Sequence, residues 1–181
     1  MIPIDVLAIS GSLRAQSVNS ALMRALARNS SSAIRVSVYT EVGDLPLFNP
    51  DLESIAPPPV HRLWAAVGGA NALIIASPEY AHGVTAAIKN VLDWLVGYGP
   101  FYGMPTLVLN TSPRARHADE ALRETLRTMS ATLVDETSVV VPLLGSGLDE
   151  DGIVAAPWMS TVLEPALKRL HDLVVDRKTA L

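Results

Sequence analysis

Short continuous apolar runs alternate along the chain with longer segments in which apolar residues recur every three or four positions. The runs are Ile4 to Ile9, Ile34 to Tyr39, Ala72 to Ala76, Thr106 to Asn110 and Val139 to Leu143. A run of this kind that enters a turn is typical of a strand buried on both faces of a parallel sheet. The pattern therefore predicts five strands.

Helical spacing predicts five helices between and after these runs. The clearest stripe places Ile88, Val91, Leu92 and Leu95 on one helix face. Ser17 or Asn19 is the predicted cap of the first helix, and Pro165 is expected either to begin the last helix or to kink it. The proline-rich residues 44–59 predict an irregular loop before a second helix over residues 60–67.

Strands that alternate with helices imply a parallel sheet with helices on both faces. The chain has 181 residues and no internal repeat or linker, so we expect a single domain over residues 1–181. Of the two common doubly wound strand orders, 2-1-3-4-5 places a ligand at the carboxyl ends of the first and third strands. The loops after the first, third and fourth strands are therefore the informative ones.

Composition narrows the possible functions. The net charge is −4, which gives no basic surface for nucleic acid. Cysteine is absent, so any electron transfer must rely on a bound cofactor rather than on thiols or iron–sulfur clusters. The four histidines have no metal-site spacing, and we expect no metal. Without a signal-like or membrane-length apolar segment, we expect a cytoplasmic protein with no membrane partner.

The loop after the first strand carries donors suited to an anion. Ser12, Ser17 and Asn19 offer hydroxyl and amide groups, and Arg14 offers a planar guanidinium. A helix N-terminus follows, and Gly11 allows close backbone approach. The loop lacks both the lysine of a triphosphate-binding loop and a Gly-x-Gly-x-x-Gly pattern. It therefore predicts a phosphate monoester, such as that of FMN, although a serine-rich turn with a solvated arginine has the same composition.

The loops after the third and fourth strands can complete such a site. Pro78 fixes a turn that presents backbone groups, and Tyr80 can contact a flavin ring. Thr111 and Ser112 can donate hydrogen bonds. Arg114 can face the bound ligand, and a solvated surface position is equally compatible with the sequence.

Three segments together resemble the NADPH-dependent FMN reductase family. Gly11-Ser12-Leu13-Arg14, with Ser17 and Asn19 at their offsets, is similar to the family's phosphate-loop signature. Pro78-Glu79-Tyr80 and the helical segment of residues 88–94 are similar to its second signature. Two departures stand out: Ala81 occupies a position where the family usually has asparagine, and the third loop lacks the family's glycines.

The resemblance implies a flavodoxin-like α/β fold, noncovalent FMN, and NADPH or NADH as co-substrate. It implies hydride transfer to FMN and then transfer of two electrons to a small acceptor, such as a free flavin, a quinone, an azo compound or a metal ion. It also implies a homodimer or homotetramer, and no catalytic protein side chain. The implied FMN-binding residues are Ser12, Leu13, Arg14, Ser17, Val18, Asn19, Pro78, Glu79, Tyr80, Ala81, Gly83, Thr111 and Ser112.

Two other functions remain compatible with the sequence. The first is a non-enzymatic electron carrier of the flavodoxin type. The second is a sensor or interaction protein that retains the fold without the flavin, for which Ala81 and the altered third loop are the supporting features.

Overall fold

Six strands lie at the centre of the computed structural model, which describes residues 2–135 and 137–179. They are β1 (Ile4–Ser10), β2 (Ile34–Tyr39), β3 (Ala72–Ala76), β4 (Pro105–Asn110), β5 (Thr132–Leu133) and β6 (Val139–Val140). All pair in parallel in the order β2-β1-β3-β4-β5, and β6 also pairs with β4. The predicted flavodoxin-like strand order is confirmed.

Helices cover both faces of this sheet. They are α1 (Val18–Arg28), α2 (Pro58–Gly68), α3 (Ala86–Asp93), α4 (Arg116–Thr128), α5 (Glu150–Ala155) and α6 (Pro157–Thr179). Alternate residues of β1 face opposite sides: Val6 and Ala8 pack with α1, α5 and α6, whereas Leu7 and Ile9 pack with α2, α3 and α4. Because successive side chains of a strand point to opposite faces, the sheet has two apolar faces, and a layer of helices buries each of them.

Side chains of the preceding loops define where the helices at the sheet edge begin. Ser17 precedes α1 and its hydroxyl accepts a hydrogen bond from the Ser20 N–H at 3.3 Å. Thr85 precedes α3 and accepts from the Ile88 N–H, also at 3.3 Å. Each hydroxyl satisfies one of the free N–H groups of a first helical turn. Ser17, rather than Asn19, is therefore the cap of α1.

The strand predicted over Val139 to Leu143 is wrong in extent. Within that range only Val139–Val140 forms a strand, β6, which pairs with the end of β4, and the separate β5 precedes it and pairs with the beginning of β4. This segment lies at the sheet edge and has a hydrogen-bonding neighbour on one side only, so an interruption leaves fewer ladder bonds unmade than it would in β1 or β3.

The chain after β6 and the proline-rich loop also differ from expectation. Helix α5 was not predicted; Asp149 caps it by accepting from the Gly152 N–H at 2.9 Å. Pro165 lies inside α6 rather than in its first turn. Helix α2 begins at Pro58, since proline suits a first turn, in which N–H groups have no helical partner.

Candidate functional site

Three loops lie side by side at the carboxyl edge of the sheet. We call them the first loop (residues 11–17, after β1), the second loop (residues 77–85, after β3) and the third loop (residues 111–115, after β4). Because β3 pairs with both β1 and β4, the three loops leave the sheet as neighbours. This is the edge at which parallel α/β sheets bind ligands.

Gly11 holds the first and second loops together. Its N–H donates to the Ala76 carbonyl at 2.8 Å, and the Thr85 hydroxyl donates to the Gly11 carbonyl at 2.6 Å. A Cβ atom at position 11 would lie 2.3 Å from the Ser77 hydroxyl, which is closer than such atoms approach. The glycine is therefore needed for contact between the two loops, a reason that differs from the close ligand approach expected from the sequence.

Polar donors without protein partners remain at the start of α1. The N–H groups of Val18 and Asn19 have no acceptor within the described part of the chain, because they belong to the unpaired first turn of the helix. The Arg14 side chain is exposed and contacts no acceptor among residues 2–135 and 137–179. The Ser12 hydroxyl accepts from the Arg14 N–H at 3.4 Å, which leaves its own hydrogen available. These donors fit an anion.

Asn19 and Thr111 connect α1 to the third loop. The Thr111 hydroxyl donates to the Asn19 side-chain oxygen at 2.9 Å, and both residues are buried. The hydroxyl of Thr111 and the carbonyl oxygen of the Asn19 side chain therefore contact each other, a pairing that no motif spacing predicts.

The second loop contains a tight turn in an uncommon backbone conformation. Tyr80 and Gly83 exchange backbone hydrogen bonds of 3.1 and 3.0 Å. Between them, Ala81 has φ 51° and His82 has φ 59°, the left-handed region that favours glycine or asparagine. The Ala81 N–H has no acceptor in the described chain and is free to donate.

Glu79 joins this turn to α4. One carboxylate oxygen accepts from the Ala118 N–H at 2.9 Å, and the other lies 3.0 Å from the His82 ring nitrogen Nδ1. The Ala118 N–H, and secondarily His82, lower the pKa of the Glu79 carboxyl below its ordinary value. Both oxygens of this carboxylate are thus directed at protein donors.

A cleft of about 290 Å³ opens between the three loops. It is lined by Val18, Asn19, Ser77, Pro78, Glu79, Tyr80, Asn110, Thr111, Ser112, Arg114, Ala115 and Leu144. The remaining predicted residues, Ser12, Leu13, Arg14, Ser17, Ala81 and Gly83, lie in the first and second loops outside this lining.

Sequence reasoning missed several residues of this cleft. Leu144 arrives from the segment after β6, where its N–H donates to the Thr111 carbonyl at 3.0 Å, and its side chain is exposed. Asn110 shapes the third loop: its amide group donates to the Ala115 carbonyl and its oxygen accepts from the Ser112 N–H. The position of Asn110 at the end of an apolar run was an available signal, whereas that of Leu144 depends on tertiary packing alone.

Another cavity, of about 650 Å³, lies beside the start of α1 and includes Ser17 and Val18, but no residue of the second or third loop lines it. A larger cavity of about 770 Å³ lies between α1, β2, α5 and α6, but it is lined mainly by apolar side chains and by none of the predicted residues. Within the described residues, His, Asp and Glu side chains form no group able to hold a metal ion. No helix in that part of the chain combines the length and apolarity needed to cross a bilayer.

Comparisons with known proteins agree with this geometry. The family model described as NADPH-dependent FMN reductase matches residues 4–143. An NAD(P)H-dependent FMN reductase of Pseudomonas aeruginosa is 30% identical over 93% of this chain and 94% of its own. A quinone reductase of Pseudomonas putida is 35% identical over 67% of this chain and 69% of its own. The flavoenzyme FerB, an NAD(P)H:acceptor oxidoreductase of Paracoccus denitrificans, superposes with a TM-score of 0.82 at 26% identity, covering 96% of this chain and 98% of its own.

Proposed function

The chain belongs to the NADPH-dependent FMN reductase family, and we propose that its 181 residues form one domain that binds FMN noncovalently across the three loops. Its activity is that of an NAD(P)H-dependent flavin reductase of the quinone-reductase type. The first loop would hold the phosphate of FMN, and the residues that line the cleft would hold the flavin ring. This reading is favoured over an electron carrier or a flavin-free sensor because the named relatives are reductases.

The unpaired donors of the first loop are the observation that carries the proposal. The N–H groups of Val18 and Asn19 point out of a helix start, where the helix dipole favours negative charge. Arg14 has no competing acceptor within residues 2–135 and 137–179, and its guanidinium can form two parallel hydrogen bonds to a phosphate. Ser12 and Ser17 complete the cradle, and the exposed Leu13 side chain borders it.

The second and third loops supply a slot for the ring. Pro78 and Tyr80 of the second loop and Thr111 and Ser112 of the third loop all line the cleft. The free N–H of Ala81 can bond to the polar edge of the ring, a role for which the backbone suffices and the missing asparagine side chain is not needed. Gly83 closes the turn that presents this N–H, and Glu79 holds the turn against α4.

FMN bound here supplies the redox chemistry, accepting a hydride from NADPH or NADH and passing two electrons to a small acceptor. The residues of the cleft bind and orient the two substrates. Neither a protein nucleophile nor a protein base is assigned, since no side chain of the cleft pairs a nucleophile with a base.

We also propose the electron acceptor, the oligomeric state and the cellular location of the protein. A quinone is the favoured acceptor, because several relatives are named quinone reductases. A homodimer or homotetramer is supported by the exposed apolar side chains of Leu47, Ile55 and Val96, which a second copy would cover. A cytoplasmic location is consistent with a nicotinamide co-substrate. Sedimentation of the purified protein tests the assembly.

FMN titration of an Arg14→Ala variant tests the phosphate site. We expect its affinity for FMN to fall about 10- to 150-fold, as when a hydrogen bond to a charged group is removed. Riboflavin, which lacks the phosphate, should bind equally well to the wild type and the variant. Arg35→Ala is the matched control, because Arg35 lies on β2 and contacts Asp5 of β1 rather than any of the three loops. Equal FMN affinity in wild type and Arg14→Ala would contradict the phosphate assignment.

A further inference from the structure

Three arginines have no acceptor within the part of the chain that the structure describes: Arg14, Arg114 and Arg116. Each of the other lysines and arginines contacts a carboxylate, a carbonyl oxygen or a side-chain amide oxygen. All three unpaired arginines follow β1 or β4 at the carboxyl edge of the sheet. Positive charge without an internal partner is thus concentrated at the candidate site of an otherwise acidic chain with net charge −4.

Arg114 is the unpaired arginine that lines the cleft. Its backbone N–H donates to the Ser112 hydroxyl at 3.3 Å, a bond that fixes the third loop, while its side chain is exposed. Arg116, at the start of α4, is also exposed but does not belong to the cleft lining. The two side chains therefore differ in access to a bound ligand although they are two positions apart.

The cleft offers Arg114 no carboxylate of its own. Glu79 is the single acidic residue in the lining, and its oxygens face the Ala118 N–H and the His82 ring. A guanidinium that lines a cleft whose one carboxylate faces other protein groups is suited to an anionic ligand, and its planar donors match phosphate. The first loop, with Arg14, already accounts for the phosphate of FMN, which leaves Arg114 for a second phosphate-bearing molecule.

We propose that Arg114 binds a phosphate group of the nicotinamide dinucleotide and so sets the affinity for this co-substrate separately from the affinity for FMN. This inference rests on the proposed function. The dinucleotide offers two sources of the same chemistry: the pyrophosphate, present in NADH and NADPH, and the 2′-phosphate, present in NADPH alone.

Steady-state kinetics of the FMN-loaded wild type and Arg114→Ala test the proposal. We expect the KM of the variant for NADPH to rise about 10- to 150-fold, with kcat at saturation and FMN affinity unchanged within about twofold. A parallel rise in the KM for NADH assigns Arg114 to the pyrophosphate, and an unchanged KM for NADH assigns it to the 2′-phosphate. Arg114→Lys, which keeps the charge, should recover part of the loss.

Arg116→Ala is the matched control and should keep both KM values within about twofold, since this side chain does not line the cleft. Calorimetric binding of 2′,5′-ADP and of ADP-ribose to the loaded protein gives a readout independent of turnover, and Arg114→Ala should weaken at least one of them. Loss of FMN affinity in Arg114→Ala with unchanged KM, or no change in either quantity, overturns the assignment. A wild type that takes up no FMN or oxidises no NAD(P)H contradicts the proposed function itself, which is a distinguishable failure.

Discussion

Backbone strain at Ala81 is a feature of single residues that substitution can measure. Ala81 has φ 51°, where a Cβ atom contacts the neighbouring carbonyl and costs roughly 1–2 kcal/mol. Ala81→Gly removes this contact, although glycine loses more conformational entropy than alanine on folding. The balance of the two effects is an expected rise of about 0.5–1 kcal/mol in the free energy of unfolding. Urea denaturation measures the change.

Ala121→Gly is the control for this substitution. Ala121 lies in the middle of α4 and is exposed, so the same change there should lower the free energy of unfolding by about 1 kcal/mol. If both substitutions destabilise the protein equally, the left-handed turn at Ala81 is not strained.

Glu79 makes the second loop sensitive to acid. Its pKa is lowered in the folded protein, chiefly by the Ala118 N–H. The stabilisation is therefore complete above the carboxyl's unfolded pKa of about 4.3 and disappears as the pH falls through the lower folded value. Wild type should be more stable than Glu79→Gln at neutral pH, and the difference should shrink below about pH 4. A difference that stays constant between neutral and acid pH would contradict the carboxylate's role.

At the scale of elements, Gly11 couples the first loop to the second. Gly11→Ala places a Cβ atom 2.3 Å from the Ser77 hydroxyl and 2.7 Å from its Cβ atom. The loops must separate, and we expect a loss of about 1–3 kcal/mol in stability together with weaker FMN binding. Thermal unfolding and FMN titration measure the two effects. Gly99→Ala is the control, because its Cβ atom would meet nothing within 4 Å; similar losses in both variants would argue against the loop contact.

Elements with strong local signals were predictable, and those defined by long-range contacts were not. The bounds of β2 and β3 match the prediction, since apolar runs between turn residues carry enough information. The separation of β5 from β6 depends on where each pairs with β4, which periodicity does not encode. Helix α6 continues through Pro165 because its buried residues on both sides pack on the sheet, a tertiary effect that overrides local propensity.

In the candidate site, too, the local features were predictable and the long-range contacts were not. Motif spacing identified the first and second loops, because a phosphate loop and a strand-to-helix turn are local structures. The bond between Asn19 and Thr111 joins residues far apart in the chain, and Thr85 reaches the Gly11 carbonyl from the start of α3. These contacts hold the loops in place, and only the folded structure reveals them.

On the scale of the whole molecule, the sheet brings separate stretches of chain to one edge. β3 pairs with β1 on one side and β4 on the other, so loops that are distant in sequence share the cleft. The lysines and arginines elsewhere in the described chain contact internal acceptors, whereas Arg14, Arg114 and Arg116 at this edge do not. A sheet with two buried faces and uncompensated donors at one edge is an arrangement suited to binding anionic cofactors and substrates.

The most direct test of this account is an anaerobic titration of the purified, FMN-loaded protein with NADPH, followed by absorbance. We predict that the flavin band of the bound FMN bleaches in proportion to the NADPH added, and that a quinone added afterwards restores it. A protein that fails to retain FMN, or whose flavin band persists in excess NADPH and NADH, would show that this edge of the sheet does not bind FMN for reduction by a nicotinamide.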